Sequence, residues 1–198
     1  MNLIEQHFFV ITEGYEYFAS DLERIARICY KSEHKITPIS AEPFMRRIIR
    51  SGHEAMLEHA NLSIQFITDR ATANAIVRHR HCAFAQESTH YIDYQKRKDL
   101  DFVQQVDIEY QEEYEQDLNT LETLYFKSKE KTKMRRTLFA LGFKTEIVVT
   151  TNLREWRHIL KLRTTNAAHP QMRDLMRSLL YWFKDHLPIF VEDIEYET

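Results

Sequence analysis

Residues 61–68, NLSIQFIT, alternate so that Leu62, Ile64 and Phe66 share one side, the period of a half-buried strand. Asp69 follows at once as a helix N-cap, and the helix it opens is predicted to run toward Arg80. A second stretch has the same form. FKTEIVVT, residues 143–150, is a β-branched strand, Thr151-Asn152 offers a cap, and Leu153 to Arg163 has helical periodicity. Such strand-to-helix joints, with no regular βαβ alternation and no internal repeat, indicate an α+β fold: a largely antiparallel central sheet with flanking helices.

The remaining elements are read in the same way. Phe8 to Ile11 is a short strand, and DLERIARICY, residues 21–30, places Leu22, Ile25, Ala26 and Cys29 at helical spacing. Ser40 is the expected N-cap of a helix that stops at Ser51-Gly52. Residues 108 to about 136, rich in Glu, Gln, Lys and Leu, read as one long solvated helix in the C-terminal half. A last helix spans 170–186, with Pro170 at a tolerated first-turn position.

A length of 198 residues with 43% hydrophobic content and no linker suits a single domain, 1–198. The net charge of −3 gives no argument for nucleic acid or an anionic membrane. The N-terminal MNLIEQHFFVITEGYEYF lacks the pattern of a signal peptide, and no apolar run approaches about twenty residues, so a cytoplasmic protein is expected. Cys29 and Cys82 form no CxxC pair and are read as buried small hydrophobes.

The segment Arg78-His79-Arg80-His81-Cys82-Ala83-Phe84-Ala85-Gln86-Glu87-Ser88 is not explained by packing. Arginines flanking a histidine are costly unless an anion or solvent receives them, so the segment reads as an anion site. On the helix leading into it, Arg70, Asn74 and Arg78 are expected on one face. The helix 153–163 carries a second anomaly. At about 100° per residue, Leu153, Trp156, Ile159 and Leu160 make an apolar arc with Arg163 in its middle, while Arg154, His158 and Lys161 lie opposite. Either an anion compensates Arg163, or the helix ends a turn early and Arg163 reaches solvent or caps the C-terminus.

Arg78-His79-Arg80, seven residues, then Ser88 resembles the signature of the flavin-dependent thymidylate synthases. The resemblance extends to Ala26-Arg27-Ile28-Cys29, His53-Glu54 with Glu58-His59, Arg135 with Leu138, and Asn152-Leu153-Arg154-Glu155-Trp156-Arg157-His158 continuing to Leu162-Arg163. It implies an enzyme making dTMP from dUMP, with methylenetetrahydrofolate as carbon donor and NADPH reducing a bound FAD. It also implies a homotetramer with active sites between chains. His53, Glu58, Arg78, His79, Arg80, Asn152, Arg154 and His158 would contact the flavin, and Gln86, Ser88, His90, Arg135 and Arg163 would contact dUMP. Arg163 and Arg78 would be catalytic, Arg78 lying close to both ligands.

The residues accord with those roles. With three glycines and no GxGxxG, no glycine-rich turn can cradle a pyrophosphate, and arginines and histidines must serve. An arginine on an apolar surface could polarise a uracil carbonyl and stabilise enolate-like charge. Ser88 admits a nucleophile reading with His79 or His90 as base, but a binding hydroxyl among arginines needs no activation. The alternative enzyme is a metal-dependent nucleotide hydrolase using His79/His81 or His53/His59 with Glu54 and Glu58; no metal site is assigned. A non-catalytic nucleotide- or RNA-binding module is a third reading, opposed by the core-like spacing of most phenylalanines and tyrosines. His90 stands where the family commonly has arginine, Ala85 where Asn or Ser is frequent, and Phe139 where proline is frequent. Arg135 and Arg136 are adjacent, so either could reach the nucleotide. The family's polar pattern is only partly kept across 166–173.

Overall fold

The computed structural model describes residues 1–196 and, at Thr132 and Lys133, the backbone alone. In chain order the elements are β1 (Asn2–Ile4), β2 (His7–Val10), α1 (Phe18–Ile28), α2 (Ala41–Arg50), β3 (Asn61–Asp69), α3 (Arg70–Ile76), β4 (Ala83–Gln86), β5 (Asp101–Val103), α4 (Gln111–Lys127), α5 (Thr132–Arg135), β6 (Lys144–Asn152), α6 (Leu153–Arg163) and α7 (Pro170–His186). An antiparallel four-stranded sheet has the order β2-β3-β6-β4, and β1 pairs in parallel with β5, Leu3 opposite Phe102. The α+β class expected from the sequence is the one found. Among the described residues no helix is long and apolar enough to cross a membrane.

The chain forms two compact units: residues 1–9, 65–80 and 84–149, and residues 10–64, 81–83 and 150–198. The first has an aromatic core in which Tyr94, Phe102, Tyr125 and Phe143 are almost wholly buried. Phe139 stacks on Phe143 with ring centroids 4.0 Å apart, and Tyr94 meets Phe143 edge-on at 5.2 Å. Offset and edge-on pairs add to area burial because ring edges are positive and faces negative. The long helix expected over 108–136 is shorter. α4 stops at Lys127, where Ser128 turns extended (φ −64°, ψ 130°), and α5 resumes at Thr132. The break delivers Arg135 to the buried Tyr125, with its guanidinium carbon 5.7 Å from the ring centroid. α7 is as long as α4, each 17 residues, so the C-terminal half has two long helices rather than one.

In the second unit α1 packs on α2 and α6 on α7. α6 buries Leu153, Trp156, Ile159 and Leu160, the arc read from its periodicity, and the Trp156 indole donates to the Leu62 carbonyl at 3.0 Å. Truncating such an anchor costs about 3–5 kcal/mol. Ser40 occupies the N-cap position of α2 but does not cap it. Its hydroxyl donates instead to buried Glu23 at 2.8 Å, which also pairs with Arg27 at 2.6 Å. A buried carboxylate needs more than one donor, and that demand outweighs a cap. Cys29 follows the last turn of α1 and is exposed, contrary to the reading as a buried hydrophobe; Cys82 is half-buried.

α3 begins where expected, with Asp69 accepting the Thr72 amide at 2.6 Å, but ends at Ile76. Arg78 lies beyond its last turn, so Arg70, Asn74 and Arg78 do not share one helical face. The shorter helix leaves 77–82 to turn the chain before β4 joins the sheet edge.

Candidate functional site

Each unit carries candidate functional residues of its own. In the second, a cavity of about 700 Å³ is lined by Glu58, Asn152, Arg154 and His158, all expected at a flavin, together with His81 and Lys161. Asn152, Arg154, His158 and Lys161 lie on or beside α6, and Glu58 lies on the 3-10 segment Glu54–His59 that packs against it. The α6 register sets their direction: because Leu153, Trp156 and Leu160 face the core, Arg154 and His158 are exposed.

Arg154 donates to Glu58 at 2.5 Å with both side chains about half exposed (52% and 47%). An exposed pair of this kind holds little energy and yields readily to a ligand anion. Asn152 accepts the Glu155 amide at 2.9 Å, so its side-chain oxygen caps α6 and its amide N–H groups remain to donate. His53 is exposed and lines a neighbouring cavity of about 430 Å³ with Cys29 and Arg154.

The cavity of about 700 Å³ is also lined by Arg157 and Glu54, members of a cluster that sequence reading missed. Arg157 is 2% exposed and donates to Asp193 through both terminal nitrogens (2.7 and 2.8 Å), to Glu54 at 2.9 Å and to the Phe190 carbonyl. Those hydrogen bonds hold the Asp193 carboxyl well below its ordinary range, even against its partial burial. The signal was present in the sequence: Arg157 sits between Leu153 and Leu160 on the buried side of α6. Cys82 is also set by burial, which pushes its thiol up to about 11; the Thr151 hydroxyl opposes this and Glu155 adds to it.

The first unit holds most of the residues expected at dUMP. Gln86 is exposed at the end of β4, and its side-chain amide donates to Thr145 at 3.3 Å. The Ser88 hydroxyl accepts the His90 amide at 3.2 Å, and the His90 ring leans on Tyr91 at 4.8 Å. Arg135 is buried, donates from Nε to the Glu130 carbonyl at 2.5 Å, and leaves Nη1 buried without a partner among the described residues. Arg136 is exposed. Of the signature residues, His79 is buried while Arg78 and Arg80 are exposed. Arg163 is half-buried as the last residue of α6, so the helix does not end early.

Each unit thus offers arginine and histidine side chains, rather than a glycine-rich turn, as the groups suited to an anion. The family model of the thymidylate synthase complementing proteins matches residues 16–189, and the chain belongs to that family. A probable flavin-dependent thymidylate synthase of Mycobacterium phage L5 is 29% identical over 199 residues, 90% of this chain and 82% of its own. A flavin-dependent thymidylate synthase of Mycolicibacterium gilvum is 31% identical over 183 residues, 79% and 72%. Among solved structures, thymidylate synthase X of Helicobacter pylori with FAD and dUMP matches with a TM-score of 0.78 at 19% identity, covering 96% of each chain. The UMP/dUMP methylase PolB of Streptomyces cacaoi, bound with 5-Br dUMP, matches at 0.76 and 18%, covering 97% of this chain and 96% of its own. At such identities the likeness is one of fold.

Proposed function

We propose that this chain is a flavin-dependent thymidylate synthase, acting as a single domain over 1–198, that converts dUMP to dTMP with methylenetetrahydrofolate as carbon donor and NADPH as reductant. The observation that carries the reading is the α6 cavity. Glu58 is far in sequence from the stretch that holds Asn152, Arg154 and His158, yet all four line one cavity. The donor set suits FAD: Arg154, His81 and His158 offer charge or N–H groups to a pyrophosphate, and the exposed carboxylate of Glu58 can accept from hydroxyls. FAD, when bound, supplies the hydride relay from NADPH to the one-carbon unit.

The remaining residues bind, orient and polarise. Arg78, His79, Arg80 and His53 complete the flavin side, and Gln86, Ser88, His90 and Arg135 hold dUMP. Ser88 acts as a binding hydroxyl. Arg163, half-buried at the end of α6, is suited to polarise a uracil carbonyl, since charge stabilisation strengthens where water is excluded. Arg78 serves both ligands. The exposure of Arg78 and Arg80 fits sites completed by a neighbouring chain in a homotetramer, and the expected location is the cytoplasm.

The test is direct. Purified protein should show a flavin spectrum and release the C5 hydrogen of dUMP when given NADPH and methylenetetrahydrofolate. A colourless protein that stays apo when FAD is added, or a flavoprotein inert toward dUMP, would overturn the proposal.

A further inference from the structure

Glu87 lies between Gln86 and Ser88 in the proposed dUMP segment, and its polar groups are engaged within the first unit. Its backbone amide donates to the Glu146 carbonyl at 2.8 Å, and its carbonyl accepts from Arg70 at 3.3 Å. One carboxylate oxygen accepts from the Tyr94 hydroxyl at 2.5 Å; the other accepts from Lys144 at 3.3 Å and from the Glu146 amide at 3.1 Å. The side chains of Glu87 and Lys144 are each 11% exposed.

The partners are themselves held. Lys144 also donates to the Glu146 carboxylate, and Gln65 donates to that carboxylate at 2.9 Å. Tyr94 is 2% exposed in the aromatic core. Its hydroxyl is driven up by burial first and by the Glu87 carboxylate second, so it remains a proton donor across the working pH range. A residue that engages its amide, its carbonyl and both carboxylate oxygens fixes its own backbone, while Gln86 on one side is exposed and Ser88 on the other is half-buried.

We propose that Glu87 is a positioning residue: with Tyr94, Lys144 and Arg70 it clamps the backbone between Gln86 and Ser88, so that both present their side chains to dUMP already ordered. The inference rests on the reading of 86–90 as the dUMP segment. Its physical basis is preorganisation. A segment locked before binding loses less conformational freedom on meeting its ligand, so loosening it weakens binding without touching the reacting groups.

The experiment compares Glu87→Gln, which loses the charge facing Lys144, with Tyr94→Phe, which removes one hydroxyl from a buried ring. Flavin content, KM for dUMP, kcat and Tm are measured on holoenzyme, with dUMP affinity by calorimetry. The expected result is a KM and Kd for dUMP raised about tenfold for Glu87→Gln and about threefold for Tyr94→Phe. Flavin content and kcat should stay within twofold of wild type. If Glu87→Gln does not fold, Tyr94→Phe carries the test alone. A lowered Tm with unchanged dUMP affinity would reduce Glu87 to a structural role and overturn the proposal. Wild-type holoenzyme that ignores dUMP would overturn the substrate reading, and this inference with it.

Discussion

Arg157 and Asp193 form a two-pronged ion pair, Nη1 to Oδ1 at 2.7 Å and Nη2 to Oδ2 at 2.8 Å, that ties α6 to the segment after α7. The arginine is buried and the aspartate 43% exposed. The pair underlies the cavity wall of Arg154 and His158.

Asp193→Asn should therefore destabilise the protein at pH 7. Removing one partner of a buried pair costs roughly 3–5 kcal/mol; with Asp193 partly solvated and Arg157 keeping Glu54 and the Phe190 carbonyl, about 2 kcal/mol is expected. The pH dependence follows from the lowered carboxyl. Its contribution is complete above the unfolded value of about 4 and is lost as pH falls through the lower folded value. Denaturant unfolding at pH 7, 5 and 3 should show a gap to wild type that is constant between the first two and narrower at the third. A gap that widens toward pH 3 would contradict the assignment.

Asn152 has a separable structural duty. Asn152→Ala should lose the cap of α6 and about 1 kcal/mol, whereas Asn152→Ser, which can still accept the Glu155 amide, should lose much less. If the amide also meets the flavin, the serine variant will keep its Tm and bind FAD less tightly. Thermal melts alongside FAD titration separate the two.

Cys29 and Cys82 should differ in chemistry. With a thiol pushed up to about 11, Cys82 is about one part in a thousand thiolate at pH 8, and its alkylation should be at least about tenfold slower than that of exposed Cys29. Peptide mass spectrometry after timed iodoacetamide treatment reads this out. Cys82→Ala should leave turnover within about twofold, because no step of the proposed reaction uses a thiol.

His90→Arg tests charge at the proposed dUMP segment. Arginine brings a permanent charge and a planar fork of donors, so the substitution should lower the Kd for dUMP. An unchanged Kd by calorimetry would exclude a charge role for this position.

Arg135 has a buried terminal nitrogen with no partner among the described residues, as expected of a donor reserved for a ligand. Arg135→Ala and Arg163→Ala should each lower kcat/KM for dUMP by about 10²-fold or more. If sites draw Arg135 and Arg163 from different chains, refolding the two variants together should restore part of the activity. Mixtures as inactive as either parent would argue against shared sites.

The sequence by itself determined the local elements and the family. Alternation in 61–68, the β-branched run before Asn152, the caps Asp69 and Asn152 and the first-turn Pro170 act over a few residues, so β3, β6, α6 and α7 could be read directly. The Arg78-His79-Arg80…Ser88 spacing likewise lies within one short segment. Tertiary structure decided the rest. β1 and β5 are three residues each, too short for a period, and exist because they pair across 99 positions. α4 ends at Lys127, and the chain beyond it returns Arg135 to Tyr125, a contact made only in the folded chain. The bonds of Arg157 to Asp193 and of Lys144 to Glu87 span 36 and 57 positions. Such partners carry no local pattern, because a buried charge is satisfied by whatever folding brings within reach, and only the folded chain shows which group that is.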